Sequence, residues 1–203
     1  MNRPFQKKQQ WADHYTQKAK KDRYPARSVY KLQEIQTKQC IIRKGGQVLD
    51  LGCAPGSWLL FAAEVTGPSG QVVGIDLNPV KIALPGHVVT YTGDIFLIED
   101  DFPELTKKRF HTVLSDMAPS TSGHKETDAA RSFELSRAAL SVARNVLLPR
   151  GNFVCKIFQG ADFKEFTDSV KSSFKQLKIF KPQSSRKGSR EIYIIGSGLI
   201  ESE

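Results

Sequence analysis

The chain has 203 residues, 39% hydrophobic and 25% charged, which suits one soluble domain of ordinary composition. No apolar stretch approaches the ~20 residues needed to cross a bilayer, and the polar start MNRPFQKKQQ lacks the apolar core of a secretory signal, so a cytoplasmic protein with no membrane partner is expected. The net charge of +9 is uneven: residues 1–44 carry 12 Lys and Arg against 3 Asp and Glu, whereas residues 45–203 carry 18 of each.

That division predicts a basic N-terminal helical extension over 1–44, with helices near 8–21 and 26–38, ahead of a catalytic domain over 45–203. The extension's positive potential favours polyanions such as RNA. Its interleaved Trp11, Tyr15, Tyr24 and Tyr30 could stack on bases, although Trp11 and Tyr15 at helical spacing also suit packing. Beyond residue 44, seven β-branched-rich runs bounded by Gly, Pro, Asn or Asp predict strands at 47–52, 71–77, 87–91, 111–117, 152–158, 177–180 and 191–196. Helical patterns fall at 57–66, 126–148 and 162–175, the second stopped by Pro149-Arg150-Gly151. The alternation is that of an α/β fold with a mostly parallel sheet and helices on both faces. A second basic block, Lys171 to Arg190, holds seven cations and no acid.

In such a sheet, ligands bind beyond the carboxyl ends of the strands. Asp50-Leu51-Gly52-Cys53-Ala54-Pro55-Gly56-Ser57-Trp58 follows the first strand and opens a helix. Its spacing is neither the GxGxxG of dinucleotide binders nor a phosphate loop ending in GK[ST]. Asp76, closing the second strand, suits the two hydroxyls of a ribose, and Asp94 suits an adenine amino group, though each residue alone would also serve as a turn former or cap. Lys156 stands in the apolar run Phe153-Val154-Cys155-Lys156-Ile157-Phe158, where an unused cation is costly. Asp116, closing the preceding strand, is its natural partner. Three cysteines without CxxC spacing and four isolated histidines predict neither disulfides nor a metal site.

These residues closely resemble the FtsJ-like (RrmJ) family of ribosomal RNA 2′-O-methyltransferases over nearly the whole chain. The matching stretches are Ala26 to Leu32, Val48 to Trp58, Ser115 to Gly123, Lys156 in its strand, and Ser185-Arg186 with Ser189-Arg190-Glu191. The resemblance implies a Rossmann-like methyltransferase fold using S-adenosyl-L-methionine. It also implies a catalytic set of Lys31, Asp116, Lys156 and Glu191, and cofactor contacts at Gly56, Trp58, Asp76, Asp94 and Asp116. The segments Lys81 to Pro85 and Ile95 to Asp101 depart from the family pattern. Methyl transfer to an alcohol needs alignment and removal of the hydroxyl proton, which assigns Lys156 as base and Asp116 as its orienting group. Lys31 would steer the ribose phosphate, and Glu191 would hold the lysines in place. The implied substrate is a uridine of large-subunit ribosomal RNA within the assembled subunit, and a monomer suffices. Two alternatives stay open: the anticodon loop of tRNA as substrate, and a noncatalytic RNA-binding protein on the same scaffold. A dehydrogenase would share the sheet and Asp76 but leaves Lys156 unexplained.

Overall fold

The structure, a computed structural model, describes residues 14–200. The expected helix start near residue 8, and Trp11, lie outside the described residues. A helix over 14–21 leads to α1 (Val29–Gln39), followed by β1 (Gln47–Leu51), α2 (Ser57–Thr66), β2 (Gln71–Asp76) and β3 (Val88–Thr92). Two short helices, α3 (Ile98–Asp101) and α4 (Pro103–Lys107), precede β4 (Phe110–Ser115). The 22-residue α5 (Lys125–Val146), β5 (Leu147–Phe158), α6 (Phe163–Ser173), β6 (Phe174–Phe180) and β7 (Glu191–Leu199) complete the chain.

The seven strands form one sheet in the order β3-β2-β1-β4-β5-β7-β6. The first five are mutually parallel, while β7 runs antiparallel to both β5 and β6. This is the expected α/β architecture, reversed at one strand. Because side chains alternate across a strand, the sheet sorts its residues into two cores. Leu49, Leu51, Val113, Phe153, Cys155 and Ile194 face one layer with Phe133, Leu140 and Phe166 from α5 and α6. Val48, Val72, Leu114, Val154 and Tyr193 face the other, against Leu32 and Ile35 of α1 and Leu59 of α2. Helix α1, expected in the N-terminal extension, therefore packs within the sheet's own core.

That parity places the chemistry. Asp50, Asp76, Asp116 and Lys156 are each an even number of residues from Val48, Val72, Leu114 and Val154, so all four face α1 and α2. The register Ser115↔Cys155 sets Asp116, the first residue beyond β4, beside Lys156. The register Lys156↔Tyr193 sets a tyrosine on the other flank of that lysine. Because β7 is antiparallel, its first residue, Glu191, reaches the end of the sheet where the parallel strands finish.

Several strand and helix limits differ from expectation. Strand β5 begins at Leu147, since Phe110 pairs with Leu147 before a register shift to Thr112↔Asn152. Arg150 within it has φ 63°, the left-handed conformation that accommodates the irregularity. Strand β7 extends to Leu199, and α3 and α4 had no counterpart among the expected helices because a single turn shows no periodicity.

The segment joining α1 to β1 is held by a doubly used carbonyl. The Ile41 oxygen accepts from the buried Thr112 hydroxyl at 2.6 Å and from the Asn152 amide at 3.0 Å. Thr112→Val should cost about 1 kcal/mol, because Asn152 still serves the carbonyl. Adding Asn152→Ala leaves the oxygen unpaired, and the double variant should lose more than the sum of the singles, by a further ~1–3 kcal/mol in urea denaturation.

Candidate active site

The loop after β1 is stapled across the end of β2. Gly52 and Cys53 donate their N–H groups to the Ile75 carbonyl, and Ala54 N–H donates to the Asp76 carboxylate at 3.0 Å. Gly52 has φ 77° and a Cβ there would fall 2.3 Å from Met117 Cγ, so the turn requires glycine both for its conformation and for its neighbour. Gly56, with φ 110°, opens α2 under the same two constraints, a Cβ there meeting Ile82 Cδ1 at 2.7 Å.

Four of the expected residues converge as two ion pairs. Lys156 Nζ lies 3.0 Å from Asp116 Oδ1 and also donates to the Asp116 backbone carbonyl. Lys31 Nζ lies 2.8 Å from Glu191 Oε2. All four side chains are at most 15% exposed. Tyr193 joins the pairs: its hydroxyl donates to Asp116 Oδ1 at 2.5 Å, and Lys31 Nζ lies 5.8 Å from its ring centroid. Burial opposes ionisation of Asp116, but the Lys156 and Lys31 ammoniums and the hydrogen bonds from Tyr193 and Lys156 outweigh it, holding the carboxyl below the usual carboxylate range. Tyr193 is pushed the other way, by burial and by Asp116 and Glu191, and stays a phenol. Sequence reasoning did not single out Tyr193, because a tyrosine in the apolar run EIYIIG reads as core.

The remaining expected residues are placed as follows. Asp76 accepts from Ala54 N–H on Oδ2 and from both the backbone N–H and the side-chain amide of Asn78, at 2.8 and 3.3 Å, on Oδ1, which leaves a lone pair on Oδ2. Asp94 caps the 3₁₀ turn Ile95–Leu97, accepting from Phe96 N–H at 3.0 Å through Oδ1. Trp58 is buried with its ring 6.0 Å from that of Tyr193, and its indole N–H donates to the Ser28 carbonyl at 2.9 Å. It thereby ties α2 to the start of α1. Ser57 does the same one residue earlier, its hydroxyl bonded to both the N–H and the carbonyl of Ala26.

Three further features were not anticipated. Asp50 is buried, and neither carboxyl oxygen has a hydrogen-bond partner among the described residues. Leu77 is 67% exposed and Phe96 57% exposed, flanking Asp76 and Asp94 in sequence. Arg190 donates to the backbone carbonyls of Lys125 and Gln159, tying the first residue of α5 to the stretch after β5.

Together these residues fit a nucleoside-bearing cation. The free lone pair on Asp76 Oδ2 suits a ribose hydroxyl, the exposed Leu77 and Phe96 suit the faces of a flat base, and the unpaired Asp50 suits a positive charge. A sheet of this order, with Asp50, Asp76 and a glycine turn at its strand ends and a buried Lys–Asp pair beside them, defines a Rossmann-like methyltransferase.

The comparisons agree. Residues 24–199 match the profile of the FtsJ-like methyltransferases, and the chain belongs to that family. It is 62% identical over 192 residues to the ribosomal RNA large subunit methyltransferase E of Desulforapulum autotrophicum, covering 95% of each chain. The same-named protein of Desulfosudis oleivorans is 50% identical over 202 residues, covering 100% of this chain and 98% of its own. Among solved structures, one described as a ribosomal RNA methyltransferase from Plasmodium falciparum has a TM-score of 0.76 at 26% identity, covering 88% of this chain and 100% of its own. Aeropyrum pernix fibrillarin, solved with S-adenosyl-L-methionine, shares the fold, with a TM-score of 0.63 at 17% identity over 83% of this chain and 76% of its own.

Asp50 gives a pH signature. Burial first, then the neighbouring Asp116 and Asp76, raises its carboxyl well above the usual range. Folding therefore favours the protonated form, so this group's contribution worsens as pH rises from the unfolded value of ~3.9 toward its folded value. Asp50→Asn should gain thermal stability relative to wild type progressively as pH rises above about 4, with little difference below it. A melting-temperature difference that is flat across the series would contradict an unpaired, buried carboxyl.

Proposed function

We propose that the protein transfers a methyl group from S-adenosyl-L-methionine to a ribose 2′-hydroxyl of large-subunit ribosomal RNA, most specifically a uridine, in the cytoplasm and as a monomer. The observation that carries this reading is the buried Lys156–Asp116 pair, locked by Tyr193 and set beside Lys31–Glu191. When bound, the cofactor supplies an electrophilic methyl group activated by its sulfonium. Asp76 and Asp94 would hold its nucleoside, the glycine turn at Gly52 and Gly56 shapes the loop beside it, and Asp50 would lie toward its positive charge. Trp58 supports the site from beneath by its bond to Ser28.

The chain's own chemistry is proton management. Asp116 presents two acceptors to Lys156 Nζ, its Oδ1 and its backbone carbonyl, so two hydrogens of the resting ammonium stay bonded when the third is lost to solvent and a lone pair is freed. That lone pair would take the 2′-hydroxyl proton as the methyl group is transferred. Tyr193 prevents the carboxylate from swinging away. Lys31, held by Glu191, receives the phosphate next to the target ribose. The basic N-terminal segment attracts the RNA, whose polyanionic backbone dominates affinity. The names of the close relatives support ribosomal RNA of the large subunit as the substrate, with the assembled subunit as partner.

The test is transfer of label from methyl-labelled S-adenosyl-L-methionine to isolated large subunits and to bulk tRNA, with ribose-level mapping of the product. Label on a ribose of the large-subunit RNA supports both reaction and substrate, whereas label on tRNA alone replaces the substrate. Lys156→Ala should lower kcat by about 10²–10⁴-fold with cofactor affinity retained. Near-wild-type turnover in that variant would remove Lys156 from the base role.

A further inference from the structure

The helix over 14–21 and α1 pack through a small core of Ala19, Tyr24, Val29 and Tyr30. On their outer side lies an open groove of about 370 Å³, lined among others by Tyr15, Lys18, Gln33, Thr37, Lys38 and Gln183. That volume is in the lower part of the range for small-ligand sites, about 300–1,000 Å³. The site is close to the catalytic cluster. Lys31, Glu34 and Lys38 recur at i, i+3 and i+7 on α1, so the groove comes within one helical turn of Lys31 and reaches a point ~10 Å from it along the helix.

Its free charge is cationic. Glu34, an acid in the lining, has both oxygens occupied by the Gln183 and Ser184 N–H groups at 2.7 and 2.8 Å. Lys18 and Lys38 form no ion pair among the described residues. Their ammoniums sit 4.5 Å from the Tyr30 ring centroid and 5.1 Å from that of Phe180. Tyr15, half-buried and 5.4 Å from Tyr30, contributes an aromatic ring to the lining. An aromatic surface, amide-bearing side chains and unpaired lysines are the combination that holds a single-stranded nucleotide: stacking for the base, cations for the phosphates.

We propose that this groove is a second RNA subsite, taking a nucleotide that flanks the methylated one, its base against Tyr15 and its backbone along Lys18 and Lys38. The proposal rests on the RNA 2′-O-methylation reading for its register with Lys31. It differs from a general basic surface in predicting a bounded site that one bulky side chain can fill.

Two independent variants test it in the full chain. Thr37→Trp fills the groove from an exposed helical position, and Lys18→Ala combined with Lys38→Ala removes its cations without adding bulk. With large subunits as substrate and saturating S-adenosyl-L-methionine, each should raise KM by about tenfold while kcat and cofactor Kd stay unchanged. Binding of a short fluorescent single-stranded oligoribonucleotide should weaken in parallel. The double lysine variant should lower the slope of log affinity against log salt by about 1.4, the effect of two single-strand phosphate contacts. Unchanged KM and unchanged oligonucleotide binding would overturn the proposal. So would a raised KM with oligonucleotide binding intact, which would assign the groove to a protein of the subunit. The oligonucleotide arm is independent of catalysis: a wild type that methylates no subunit would sink the functional reading, while this arm still judges the groove.

Discussion

The Asp116 carboxylate is the point on which the site depends. Its Oδ1 accepts from both the Lys156 ammonium and the Tyr193 hydroxyl, so three strands must stay in register for one oxygen to be satisfied. A buried charge left unpaired by a partner's loss is expensive, about 3–5 kcal/mol, whereas the intact pair adds little net stability. The arrangement therefore works as a geometric constraint more than as a source of stability. It fixes the distance between an amine and a carboxylate at the end of the sheet where ligands bind. The reversal of β7 completes it. An additional parallel strand would present its C-terminal residues there, but the antiparallel strand delivers its first and third residues, Glu191 and Tyr193.

The same constraint extends to a helix outside the sheet. Lys31 rides on α1, which is pinned by Ser28 to Trp58, by Ala26 to Ser57, by Ile41 to Thr112 and Asn152, and by Glu34 to the loop before β7. Arg27 adds a bond from its guanidinium to the Ser184 carbonyl at 2.7 Å. These contacts join the most basic part of the chain to the two layers that carry the chemistry. Lys31 is thereby held as firmly as residues on the strands.

Much of this was legible in the sequence because charge in an apolar strand is conspicuous. Lys156 stood out among Phe153, Val154, Cys155 and Ile157, and Asp116 followed from its position at the end of the preceding strand. Pleat parity, which puts Asp50, Asp76, Asp116 and Lys156 on one face, was equally available from the spacing. Glu191 and Lys31 came from family resemblance, since neither breaks an apolar pattern. Tyr193 was hidden because its polar atom is a single hydroxyl on an otherwise apolar residue, and only the β5–β7 register reveals its target. Asp50 was hidden for the opposite reason: an acid beside glycines reads as a turn, and its lack of any partner is a property of packing. The single-turn helices α3 and α4 leave no periodic trace, and Pro103 at the first position of α4 is compatible with a loop as well as a helix start.

The electrostatics of the molecule divide by ligand. At the strand ends, Asp50, Asp76 and Asp116 lie close enough to raise Asp50, a field that favours a cation and disfavours phosphates. On the α1 side, the excess of 12 basic over 3 acidic residues within 1–44 favours a polyanion. Lys31 and Lys156 stand at the boundary, each neutralised by its own carboxylate. The two fields favour a cation and a polyanion on opposite sides of one wall of ion pairs. A sulfonium bound beside Asp50, Asp76 and Asp116 would lose its charge on giving up its methyl group, so the same carboxyls would hold the neutral thioether less strongly than the cation.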